Sequence, residues 1–486
     1  LAPNPLILAM ANPEPEILPE LVAAARPDAI MATGRSDFPN QVNNVLCFPF
    51  IFRGALDVGA SEINEAMKVA AVEAIAELAR AEASEVVASA YGGVAPMFGA
   101  QYIIPKPFDP RLILQIAPAV ARAAMDSGVA TRPIADFDAY RQELELFVYR
   151  SGQLMRPVFE RARKAPLKVA YAEGEDERVL RGVQTVLDEG LAHPVLIGRR
   201  DVIAAKVKEM GLRMDLGGRV QVIDPAADTE LFAPLIERYQ ALVGRRGVPP
   251  MAAERRVTGR RTVAASMLLQ AGHVDAALVG GSGDWWQHMT YALPIIPKRD
   301  DVSRVYAMSS LILQTGTLFF CDTHVNVDPT ADQIAEVTLL AAEAVRRFGL
   351  TPKAALLSHS SFGASNSPTA RKMREALSLV RERAPELEVD GEMHADAALS
   401  QHLRDRLVAD SPLKGSANLL VMPTLDAANI SLTLLSAATE SLLVGPILLG
   451  MSQPLHVLTP SVTARGIVNL TALAVNQAAS ERALQG

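Results

Sequence analysis

Residues 136–166 read DFDAYRQELELFVYRSGQLMRPVFERARKAP, and this stretch decides how the rest of the chain divides. Its large apolar residues are Tyr140, Leu144, Phe147, Val148, Leu154, Met155, Val158 and Phe159. Steps of three and four place them on one side of an α-helix. Asp136 suits an N-cap, Arg161, Arg163 and Lys164 suit the negative helix end, and Pro166 stops the helix. Pro157 falls inside the pattern and is expected to kink or split it. A helix this long between proline-bearing segments reads as a linker over residues 131–165, with one unit at 1–130 and another at 166–486.

A length of 486 residues exceeds one ordinary core, so two or three domains are expected. A hydrophobic fraction of 49% against 21% charged residues describes a packed globular protein. The formal net charge of −7 and the lack of a basic block give no electrostatic case for nucleic acid. Cys47 and Cys321 lie in different halves and read as buried thiols of a reducing, cytoplasmic protein. No apolar run reaches membrane length, and no basic-then-apolar leader is present. The chain starts at Leu1, already inside a strand-like run, so a longer parent polypeptide is expected.

In the first half, PLILAMA (5–11) reads as a buried strand ended by Asn12-Pro13, followed by a helix at 15–25 and the strand DAIMAT (28–33). Helical stretches follow at 62–83 and 111–125. Alternating strands and helices point to a doubly wound α/β sheet, whose ligands sit beyond the carboxyl ends of the strands. Asn12, Asn43 and Asn44 hold such places. Their amides suit a carboxylate substrate or a nicotinamide carboxamide, or they cap helices and turns.

The segments ILAMANPEPEI and ATGRSDFPNQVNNVLCFPFIFRGALDVGA resemble the closing part of the bacterial malic enzyme catalytic domain, over roughly the first 130 residues. The resemblance implies that Asn12 and Asn44 contact malate or the nicotinamide end of the cofactor. The family's catalytic tyrosine and lysine, its acidic metal ligands and its dinucleotide loop precede these segments. The chain is therefore expected to hold one wall of an active site, with no catalytic residue and no metal ligand of its own.

After Pro166 the pattern restarts: strand LKVAYAE, a helix at about 175–189, strand PVLIG (194–198), then a helical region at 223–271. Arg255-Arg256 and Arg260-Arg261 are expected on a solvated helix face. Strand DAALVGGSG (275–283) enters a glycine loop that precedes Trp285 and Trp286. Glycines there admit another chain segment or a phosphate. The tryptophans suit stacking on an adenine or ordinary packing. Further strands read at 304–313, 317–322, 354–361 and 418–423, with a helix within 325–349. Asp390, Glu392, His394 and Asp396 alternate along an extended segment, which suits a metal or acid–base site if the strand persists and a turn otherwise.

This half resembles the phosphotransacetylases through YAEGEDERVL, DAALVGGSG, HVNVDPTADQIAE, VDGEMHADAA, NLLVMPTLDAANI and VGPILLGMSQPLHVLTP. That family moves an acetyl group between phosphate and coenzyme A with a serine-arginine pair and a nearby aspartate. Here those positions read Thr459, Pro460 and Gly466. The family's arginine after the glycine loop has no counterpart at Thr290 or Tyr291. Proline cannot neutralise a phosphate, and glycine offers no base.

A malic enzyme domain, a linking helix and a phosphotransacetylase-like domain together resemble the bacterial hybrid malic enzymes. The resemblance implies oxidation and decarboxylation of malate to pyruvate with NADP or NAD, and Mg or Mn held by residues outside this chain. It also implies acetyl-CoA as an inhibitory effector and a homo-oligomer of dimers or a hexamer, with no nucleic-acid or membrane partner. Arg465, Lys298, Arg299 and Thr459 are the expected effector contacts. Two other readings stay open: a working phosphate acetyltransferase, and an oligomerisation module that binds nothing.

Overall fold

The computed structural model describes residues 2–11, 14–81, 98–107, 109–148, 150–313, 316–439 and 441–485. The chain forms two compact units, Leu1–Gly152 and Gln153–Gly486.

In the first unit, β1 (Leu6–Ala9) and β2 (Ile30–Thr33) pair in parallel, with Leu6 opposite Ile30. The strand–helix alternation stops there. The helices Phe48–Asp57, Glu65–Arg80, Arg111–Asp126 and Phe137–Val148 make the core, in which Val58, Met67, Leu78, Leu112, Ile116, Val120 and Leu144 are buried. Gly54 permits the closest crossing, since a Cβ there would meet the Ala117 carbonyl oxygen at 2.5 Å. The Tyr140 hydroxyl donates to Asp57 Oδ2 at 2.5 Å, and Arg53 Nε reaches the same oxygen at 2.6 Å. Asp136 caps its helix as its side chain suggests, accepting from the amides of Asp138 (2.9 Å) and Ala139 (3.0 Å).

Pro157 does not end a helix. The structure has the helices Phe137–Val148 and Arg150–Lys164, and Pro157 lies inside the second. Burial of Leu154, Met155, Val158, Phe159 and Ala162 in the second unit's core holds the helix across the missing amide. Tertiary packing outweighs the roughly 3 kcal/mol preference against proline in a helix interior.

The second unit carries two sheets. One is five-stranded and parallel, in the order β13 (Leu455–Leu458), β6 (Ala276–Gly280), β3 (Leu167–Tyr171), β4 (Ala192–Ile197), β5 (Gln221–Ile223). The other is six-stranded and mixed, in the order β10 (Glu388–Met393), β9 (Lys353–Leu357), β11 (Leu419–Val421), β8 (Gly316–Cys321), β7 (Tyr306–Leu313), β12 (Leu442–Leu449). The β7 strand runs antiparallel to both its neighbours. Strands buried on both faces read as continuous apolar runs, which is why AALVG and TLFFC were recognisable. One core joins the sheets: Val169, Tyr171 and Leu278 from the first meet Tyr306, Met308, Phe319 and Leu356 from the second. The last helix, Ala464–Gln485, packs on that core, and Thr471 Oγ1 hydrogen-bonds the Tyr171 hydroxyl at 2.9 Å.

Candidate functional site

A cleft of about 310 Å3 opens between the two sheets, where the carboxyl ends of β6, β8 and β11 approach each other. After β6 it is lined by Asp284, Trp285 and Trp286, after β8 by Thr323 and His324, and after β11 by Asp426, Asn429 and Ile430. This is the position at which α/β sheets bind ligands.

The glycine loop positions the tryptophans. Gly280, Gly281 and Gly283 all have positive φ, and a Cβ on Gly280 would stand 2.8 Å from the Leu458 carbonyl oxygen. Here the glycines admit another chain segment. Asp284 then accepts from the Gln287 amide at 2.9 Å and caps the helix Trp285–Ala292. Trp285 is buried, with Nε1 donating to the Val457 carbonyl at 3.0 Å. Trp286 is 43% exposed and offers its ring to the cleft. His324 lies 5.3 Å from the Trp285 ring, and burial pushes its pKa down to about 4, so its imidazole is neutral at pH 7. Behind it Asp322 accepts from the amides of Ala307, His324, Val325 and Asn326 at 3.0–3.2 Å. Burial raises the Asp322 carboxyl's pKa, and these hydrogen bonds oppose the rise.

A charged network stands at the end of β3. Arg178 donates to Asp176, to the Gly281 carbonyl (2.8 Å) and to the carbonyls of Pro460 (2.7 Å) and Val462 (3.2 Å). It thereby ties the glycine loop to the segment after β13. Glu175 is held by Arg199 (3.0 Å) and Arg261 (2.7 Å), and chiefly the Arg199 hydrogen bond pulls its pKa down to about 2. Burial pushes Glu173 up to about 8, against the attraction of Arg261. Its Oε2 has no hydrogen-bond partner among the described residues. Arg260 lies over the Tyr291 ring at 4.4 Å. By its pairing with Glu175, Arg261 is drawn off the solvated face expected of it, whereas Arg260 is exposed as expected. Their partners are up to 86 residues away in sequence, and no local pattern points to them.

The Thr459 hydroxyl stands 3.2 Å from that of Ser461 beside the glycine loop, and the Gly466 amide donates to Thr463 Oγ1 at 3.1 Å. Thr459, Lys298, Arg299 and Arg465 do not line the cleft. Lys298 donates to the Val302 carbonyl at 2.6 Å, and Arg299 is bidentate to Asp301 at 3.0 Å. Arg465 pairs with Glu189 at 3.0 Å and covers the Phe159 ring at 4.9 Å.

In the first unit, Asn43 caps the short turn Asn44–Leu46 by accepting from the Val45 amide at 3.0 Å, and Asn44 is exposed at its start. Asn12 lies outside the described residues. The acidic run 390–396 does not stay extended: the strand ends at Met393 and Asp396 lies in the helix Ala395–Leu399, while the carboxylates of Asp390 and Glu392 are already paired. Asp390 meets Arg381 (2.8 Å) and Ser411 (2.6 Å), and Glu392 meets Arg374 (2.8 Å) and Ser360 (2.7 Å). Among the described residues no group of three His, Cys, Asp or Glu is arranged to hold a metal ion. No helix among them is long and apolar enough to cross a membrane.

Residues 153–475 match the phosphate acetyl/butaryl transferase family. An NADP-dependent malic enzyme of Salmonella typhimurium is 55% identical over 98% of this chain and 63% of its own length. An NAD-dependent malic enzyme of Rhizobium meliloti is 56% identical over 98% of this chain and 62% of its own. The chain thus spans less than two thirds of these relatives. Among solved structures, a phosphotransacetylase from Streptococcus pyogenes is similar with a TM-score of 0.62 and 27% identity, covering 68% of this chain and 99% of that one.

Proposed function

Because the chain belongs to the phosphate acetyl/butaryl transferase family through residues 153–475, and follows malic enzymes over nearly all its length, we propose that it is the C-terminal portion of a malic enzyme. The whole polypeptide converts malate to pyruvate and CO2 and reduces NADP, or NAD, with Mg or Mn held by residues outside this chain. The near-complete match to malic enzymes carries this reading. The first unit supports it physically. Parallel strands are normally covered on both faces, yet Leu6 and Leu8 of β1 are each 56% exposed. A pair of strands like this fits the edge of a larger sheet.

In this reading the second unit has kept the transferase fold and lost the reaction, since Thr459, Pro460 and Gly466 stand where serine, arginine and aspartate would act. It binds acetyl-CoA as an allosteric inhibitor and supports a homo-oligomer. Thr459 is the expected contact beside the glycine loop. Lys298, Arg299 and Arg465 are each engaged by a carbonyl or carboxylate and would have to release it to meet a phosphate. Ile430 and Leu434, 61% and 66% exposed one turn apart on the helix Leu425–Ala438, fit a subunit contact.

Asn44, exposed and free of the capping role that Asn43 performs, is the substrate-facing amide of this reading. In the full polypeptide, Asn44→Ala should lower kcat/KM for malate by roughly ten- to a hundredfold, as expected for about 1.5–3 kcal/mol lost with one hydrogen bond to a charged group. Steady-state kinetics with an unchanged kcat/KM would make Asn44 structural.

A further inference from the structure

The amino ends of β3, β4 and β5, opposite the cleft, frame a second concavity of about 400 Å3 whose polar lining is Lys168, His193, Arg219 and Gln221. Parallel register sets Lys168 beside His193 and Val195 beside Gln221. Side chains alternate along a strand, so Lys168, His193 and Gln221 leave the same face of the sheet. Arg219 joins them from the turn before β5 and donates Nη2 to the Leu187 carbonyl at 3.1 Å.

Among the described residues no carboxylate lines this concavity. Most acids around it are already neutralised. Asp275, which accepts from the Lys168 amide at 2.9 Å, is paired with Arg482. Asp188 is paired with Arg213 at 3.4 Å, and Glu189 with both Arg163 (3.2 Å) and Arg465 (3.0 Å). Asp215, folded against the backbone at Gly218, is the remaining acid at the rim. Neither Lys168 nor Arg219 has an ion pair among the described residues. A chain of net charge −7 therefore keeps a positive surplus in one concave place. Like charges gathered without counter-charges repel each other, and an anion relieves that repulsion.

We propose that this pocket binds a phosphate-bearing polyanion, such as the diphosphate group of a small metabolite. A guanidinium, a lysine point charge and two further polar side chains lining one concavity match the several oxygens of a diphosphate. The pocket lies at the sheet end where α/β folds do not place their usual ligand, so it is independent of whatever the cleft binds.

Calorimetric titration of the chain at low ionic strength tests this, with inorganic pyrophosphate and ADP as probes and citrate as the carboxylate control. Saturable one-to-one binding of pyrophosphate or ADP is expected, and the tighter of the two tells a bare diphosphate from one on a nucleoside. Lys168→Ala/Arg219→Ala and the longer-chained Lys168→Gln/Arg219→Gln should each weaken it at least tenfold. Trp286→Ala, in the cleft, should leave it unchanged. Both substituted side chains are exposed, so the fold should tolerate either pair. No saturable binding of either probe overturns the proposal. So do equal binding of citrate, full affinity in both double variants, or loss of binding on Trp286→Ala.

Discussion

Acetyl phosphate and coenzyme A will not be interconverted by this chain at a rate within about a thousandfold of a working phosphotransacetylase. In the transferase an arginine stabilises the charge on the phosphate and the thioester oxyanion, and an aspartate takes the thiol proton. Pro460 has no donor even on its backbone nitrogen, and its carbonyl is occupied by Arg178 at 2.7 Å. Gly466 has no side chain to serve as a base, and a Cβ there would stand 3.1 Å from Val462 Cγ2. Loss of one oxyanion donor costs about a hundred- to a thousandfold. Groups that act as a unit are not additive, so loss of several does not multiply these factors. Thr459→Ser alone should therefore restore nothing. Formation of acetyl-CoA from acetyl phosphate, followed by mass spectrometry, gives the rate. A rate within tenfold of a transferase measured alongside would revive the active-enzyme reading.

Arg404→Leu should destabilise the second unit by about 3–5 kcal/mol, the cost of breaking a buried charged network. Arg404 is fully buried. Its partners are the carbonyls of Ala397 (2.8 Å), Ala398 (3.3 Å), Leu413 (2.7 Å) and Gly415 (2.7 Å). One guanidinium thus ties the helices Ala395–Leu399 and Gln401–Leu407 to the loop before β11. Leucine fills part of the volume but leaves four carbonyl oxygens without that donor, and unmet buried polar groups cost about 1–3 kcal/mol each before relaxation. Arg404→Lys should recover only part of the loss, because a compact ammonium lacks the planar fork. A drop in melting temperature on the order of 10 °C is expected for Arg404→Leu. A drop under about 2 °C would mean that water satisfies those carbonyls as well as the arginine does.

The sequence was legible where a pattern is local. Apolar runs such as AALVG marked the parallel strands, and Asp136 marked the start of a helix. It was illegible where a residue's partner is distant. Nothing in EVDGEM announces a buried strand, because the partners of Asp390 and Glu392 are Arg381 and Arg374 on the preceding helix, Pro368–Arg383. Arg178 reaches Pro460 across 282 residues, so its part in shaping the cleft cannot be read from its own surroundings. Thr459, Pro460 and Gly466 carry the reading that the transferase residues are lost, because chemistry goes with the side chain wherever the backbone goes. Arg465 is a cation at a plausible sequence position, and Glu189 has claimed it.

In the proposed reading a transferase fold reports acetyl-CoA to a malate-oxidising site. Titration of acetyl-CoA into the full polypeptide, with binding heat and malate-dependent NADPH formation followed on the same sample, tests it most directly. An effector shifts an equilibrium only by its differential affinity for the two states, and couplings of about 1–3 kcal/mol are usual. Saturable binding is expected, with a five- to roughly 150-fold weaker affinity for malate at saturation, and no consumption of acetyl-CoA. Absence of binding, or binding that leaves malate oxidation unchanged, would contradict it.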